Sequence, residues 1–85
     1  MNSVSIIGFL REKIDDYYRY FEYELPNFEE SDGAVPKIVV KYWTKLPKTR
    51  LISIPDNSRV AIQGHLDANE KFGTILFVEE IQVLR

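Results

Sequence analysis

The chain has 85 residues, 45% of them hydrophobic and 28% charged, with a formal net charge of −2. That length supports one domain, near the lower limit for a single unstapled core, and the composition excludes a disordered segment. With no cysteine, no apolar run long enough to span a bilayer and no basic-plus-apolar leader at the N-terminus, disulfide scaffolds, thiolate metal sites and membrane spans are excluded, and a reducing, cytoplasmic setting is expected.

The first strand is expected over residues 3–10, where Val4, Ile6, Gly8 and Leu10 share one face. Residues 11–24 fit a helical spacing through Ile14, Tyr17, Tyr18 and Phe21 as well as a strand alternation through Arg19, Phe21 and Tyr23. The density of Tyr and Phe decides for a strand over residues 18–25, entered by a turn at Asp15-Asp16 and broken by Pro26. A polar loop follows, and a third strand is expected over residues 37–45, with Ile38, Val40 and Tyr42 inward and Lys37, Val39, Lys41 and Trp43 outward. Residues 46–56 carry Leu51, Ile52 and Ile54 between prolines, which reads as a short helical turn or plug at a barrel end.

The fourth strand begins at Arg59, with Val60, Ile62, Gly64 and Leu66 inward and Ala61, Gln63 and His65 outward. A polar hairpin containing Lys71 and Phe72 leads to a last strand ending in IQVL. A glycine inside a strand marks a bulge, a sharp bend or a close backbone approach, and two strands each carrying one describe a small, tightly curled barrel. The charge is uneven: the acids gather in residues 12–32, while residues 37–59 hold Lys37, Lys41, Lys45, Lys48, Arg50 and Arg59 against Asp56 alone. A ligand on the middle of the chain feels mainly that local positive charge.

Taken together, MNSVSIIGFL, IVVKYWTKL and SRVAIQGHL in this order resemble the bacterial single-stranded DNA-binding protein family. The resemblance implies an all-β fold, a five-stranded OB barrel over residues 1–85 with a short helical turn or loop between strands 3 and 4. It also implies sequence-independent binding of single-stranded DNA in replication, recombination or repair, without a cofactor. Trp43 falls on a DNA-contacting aromatic position of the family, with Phe72 and Phe28 near two others. Lys37, Lys41, Lys45, Arg59 and Lys71 are the candidate phosphate contacts. A further aromatic position of the family is occupied here by Lys37. The family self-associates through its first strands, so a homodimer or higher oligomer through residues 3–9 is expected, with Ile7 and Phe9 outward. The printed sequence stops just after the last strand, so recruitment of partners through the family's acidic tail is not expected.

No nucleophile elbow, phosphate-binding glycine loop or metal-ligand cluster is present, so an enzyme is not expected. His65, the only histidine, has no second ligand nearby in sequence and reads as a surface residue. The competing reading is an OB barrel that docks onto a replication, conjugation or phage component without binding nucleic acid, which the tyrosine-rich second strand also suits.

Overall fold

A computed structural model describes residues 2–23 and 36–84. Five strands close into one barrel in the order β1-β2-β3-β5-β4, an all-β OB fold. The strands are β1 (Val4–Lys13), β2 (Tyr18–Tyr23), β3 (Lys37–Tyr42), β4 (Arg59–Asn69) and β5 (Gly73–Val83), with a single helical turn, α1 (Arg50–Ser53), between β3 and β4. All neighbours run antiparallel except β3 and β5, which are parallel.

The alternation of the sequence fills the barrel. Leu10, Phe21, Val40, Val60, Ile62, Leu76, Val78 and Ile81 form the buried cluster, joined by Leu51 and Ile54 from the α1 region and flanked by half-buried Val4, Ile6, Ile38 and Tyr42. Each such fully buried aliphatic side chain contributes about 1.5–3 kcal/mol. β1 serves both sides of the closure: Val4–Phe9 pair with β4, and residues 8–13 pair with β2. Gly8 sits where the two ladders overlap, and a Cβ there would lie 2.3 Å from the Glu22 carbonyl oxygen. Gly64 is tighter still, with a Cβ position 2.0 Å from the Phe77 carbonyl oxygen. Both strand glycines therefore mark close backbone approaches, as the pattern predicts.

Turns follow from their side chains. The Asp15 carboxylate accepts the Tyr17 and Tyr18 amides at 2.8 and 2.9 Å, making the expected turn into β2. Asn69 accepts the Lys71 and Phe72 amides in the β4–β5 hairpin, which ends at Gly73 with φ 81°. Asn2 extends the β1–β4 ladder through its side chain, accepting the Leu66 amide at 2.7 Å and donating to the Leu66 carbonyl at 3.0 Å.

One charged residue belongs to the interior. Arg19 lies in phase with Phe21 and is fully buried at the end of the barrel. Its guanidinium donates to the carbonyls of Arg11 (2.8 and 3.0 Å), Leu51 (2.8 Å) and Ile54 (2.7 Å) and to the Asp56 carboxylate (2.8 Å). It thereby ties the α1 plug to β1 and β2. Burial holds its pKa below the ordinary value, with the Asp56 charge opposing the shift in part.

Several expected boundaries move. β1 runs on to Lys13, and β3 stops at Tyr42 rather than at residue 45, because the chain bends away after one more ladder bond, from the Trp43 amide to the Val78 carbonyl (2.8 Å). Leu66, expected inward, is 37% exposed, since β4 there runs toward the hairpin. The expected second-strand residues 24 and 25 and the loop after them lie outside the described residues.

Candidate nucleic-acid interface

Because side chains alternate across a strand, burying Arg19, Val40, Leu76 and Val78 turns their neighbours outward. The register then aligns Tyr18 with Lys41, Lys41 with Phe77, and Phe77 with His65. These residues form one row across β2, β3, β5 and β4, about 14 Å long at the usual strand spacing.

At the β4 end of the row stands Trp43, 57% exposed just past β3. Its ring is nearly perpendicular to His65 and Phe77, at centroid distances of 4.5 and 5.2 Å, while those two rings stack on each other at 5.5 Å. Trp43, Phe77, Lys41, Thr44 and Lys45 enclose a recess of about 310 Å³. Toward the other end, Phe72 packs on Tyr18 at 4.9 Å, and Asn69 donates to the Tyr18 hydroxyl at 3.1 Å. Phe72 also lines a second recess of about 210 Å³ with Tyr20, Lys37 and Val39.

The lysines are interleaved with these rings. The Lys37 ammonium lies 5.2 Å from the Tyr20 ring centroid, Lys41 5.8 Å from Tyr17, and Lys71 5.4 Å from Phe72. Lys41 also donates to the Thr44 carbonyl, so it braces the turn that carries Trp43. Lys71 lies 3.9 Å from the Asp15 carboxylate. Nearby on the same outer surface, Arg11 donates to Glu22 at 2.8 Å. That bond holds the Glu22 carboxyl below its ordinary pKa and raises that of Arg11.

Of the residues singled out in the sequence, Trp43, Lys41, Lys37, Lys45, Phe72 and Lys71 share this face. Arg59 does not. It starts β4 opposite Phe9, six residues before His65, or roughly 20 Å along the strand. Phe28 lies outside the described residues. His65 corrects the surface expectation: it is only 6% exposed, covered by Trp43 and Phe77, with Nδ1 2.7 Å from the Glu79 carboxylate. Phe77 was missed, although β5 is apolar on both parities from Ile75 to Val78, which signals a second covered surface. The Tyr18 and Tyr20 side chains also belong to the face, their outward phase being fixed by Arg19 and Phe21.

Another recess lies elsewhere. It measures about 450 Å³ and is lined among others by Ser5, Arg50, Ala61, Gln63, Glu80 and Gln82. Tyr42 is its only aromatic wall, so it offers no stacking platform comparable with the Trp43 face. Among the described residues no cluster of His, Asp and Glu could hold a metal ion, and no helix is long and apolar enough to cross a membrane. A scan against protein-family models finds no match, and neither does a search of the curated proteins.

Proposed function

We propose that this chain binds single-stranded DNA with little sequence preference, through base stacking on the outer face of β2, β3, β4 and β5. What carries the reading is the exposed indole of Trp43 beside Phe77 and Lys45, at one end of a row of aromatic and basic side chains. Aromatic rings accept any base by its face, at about 1–3 kcal/mol per base, and lysines between them neutralise phosphates. Trp43 takes the base; Phe77 and Tyr18 extend the platform; Lys45, Lys37 and Lys71 meet the backbone. Lys41 contributes charge from the middle of the row while bracing the Trp43 turn. The resemblance to the bacterial single-stranded DNA-binding family supports the same reading, with a role in cytoplasmic DNA replication, recombination or repair and no catalytic step.

Self-association through residues 3–9 belongs to the same proposal. One edge of this segment is taken by β4, and Ile7 on it is 40% exposed. Light scattering should give more than the 10.0 kDa of one chain at micromolar concentration. A monomer mass would remove this part of the proposal.

The decisive experiment is an oligo-dT titration, followed in the parent by the fluorescence of Trp43, the single tryptophan, and in parent and Trp43→Ala alike by the anisotropy of a dye-labelled oligo-dT. Quenching is expected, with an affinity loss of about 1–3 kcal/mol in Trp43→Ala and far weaker binding to duplex, whose base faces are hidden. Three or four phosphate contacts give a log–log salt slope of roughly −2.1 to −2.8. A folded Trp43→Ala variant that binds as tightly as the parent refutes the stacking role. No quenching even at low salt shifts the reading to a protein partner, for which the Tyr17, Tyr18 and Tyr20 group is suited.

A further inference from the structure

His65 is a buried polar side chain that the barrel interior does not use. Its place depends on a fault in the β4–β5 ladder: Gln63 pairs with Glu80, but Gly64 pairs with Val78, leaving Glu79 as an extra residue. A bulge of this kind re-aims a side chain. Here the Glu79 carboxylate comes within 2.7 Å of His65 Nδ1. Holding that nitrogen as the donor fixes both the orientation of the imidazole and, when it is neutral, its tautomer. The fixed ring stacks on Phe77, and Trp43 packs against both. Trp43 itself lies beyond the end of β3, attached to the sheet by one backbone bond to Val78.

We propose that His65 and Glu79 are positioning residues for Trp43, holding its indole in the orientation in which a base stacks on it. The inference rests on the reading of Trp43 as a stacking platform.

The test uses the full chain with His65→Ala and Glu79→Gln. In the free protein, the time-resolved anisotropy of Trp43 should report wider local motion in both variants than in the parent. Oligo-dT binding should weaken about fivefold in His65→Ala, but not further when Trp43 is already Ala, because a positioning residue cannot cost more than the ring it positions. Glu79→Gln keeps the test decisive if His65→Ala fails to fold. Parent-like anisotropy in the variants overturns the proposal, as does an equal loss of binding with and without Trp43. A parent that binds no oligo-dT refutes the DNA reading alone; the free-protein anisotropy then decides the positioning role by itself.

Discussion

Replacing Arg19 with Met separates two opposite expectations for a buried charge. Exchanging a whole buried ion pair for apolar side chains is often neutral or stabilising, because it removes desolvation costs from both partners. Arg19 differs in that most of its acceptors are backbone carbonyls, those of Arg11, Leu51 and Ile54, which no substitution at position 19 removes. The thioether fills the space but donates nothing. Each orphaned carbonyl costs about 1–3 kcal/mol where water cannot reach it. Asp56, whose side chain is half exposed, recovers its hydration. The net loss expected is about 3–5 kcal/mol, as for other broken buried partners, out of a total stability of roughly 4–13 kcal/mol for a domain of this size. Urea unfolding followed by far-ultraviolet circular dichroism should show the midpoint falling by about 2 M or more, with a slope near 1.5 kcal/mol per molar. Arg19→Lys keeps the charge but presents one nitrogen instead of a fork, so it should lie between parent and Met. An unchanged midpoint and slope in Arg19→Met would mean that the plug is held by Leu51, Ile52 and Ile54 alone, and the reasoning fails.

Gly64→Ala should destabilise by about 1–3 kcal/mol or more, because its Cβ meets the immovable Phe77 carbonyl rather than a flexible side chain. Gly73→Ala, with open space around it but φ 81°, should cost only about 1 kcal/mol of strain in the same unfolding assay; equal costs would contradict the close-approach argument. The Glu22 carboxyl has a folded-state pKa below its unfolded value, so its pairing with Arg11 stabilises the fold above about pH 4.5 and is lost as pH falls through the lower folded value. The pair is partly exposed, so the contribution should stay below about 1 kcal/mol. The stability gap between parent and Glu22→Gln should therefore close on acidification, and a gap constant with pH would show that the pair contributes nothing.

Much of the barrel is legible in residue pattern because it is governed by local alternation. The two strand glycines, the Asp15 turn and the apolar plug at Leu51, Ile52 and Ile54 can each be read within a few residues. The exposure of Trp43 agrees with its phase with Lys37 and Lys41 in the sequence, although the strand that would impose that phase ends at Tyr42. What the pattern misses depends on residues far apart in the chain. Arg19 has an inward phase, but only the carbonyls of residues more than thirty positions on, at Leu51 and Ile54, make that phase affordable for a guanidinium. His65 is covered by Trp43, more than twenty positions earlier in the chain and just past β3. The bulge leaves a trace in the sequence: the inward residues Leu76, Val78, Ile81 and Val83 are spaced by two, three and two, and the odd step falls at Glu79.

The same period of two couples the face to the core. Tyr18 is followed by Arg19, Lys41 is preceded by Val40, and Phe77 lies between Leu76 and Val78, so each outward residue shares its backbone with a fully or nearly fully buried one. A backbone fixed by buried neighbours gives the aromatic row a rigid base, and rigid platforms lose less entropy when a flexible single strand stacks on them. The coupling is unequal in its two directions. Truncating Phe77 or Tyr18 removes outer contacts and leaves the buried cluster intact, whereas a change at Gly64 moves the Phe77 carbonyl and so displaces part of the face. Trp43 stands apart from this scheme. It follows β3 instead of lying within it, and the strand periodicity that orients Lys41 and Phe77 no longer constrains it. Its orientation must come from side chains, and the ones in reach are His65, Phe77 and the turn braced by Lys41.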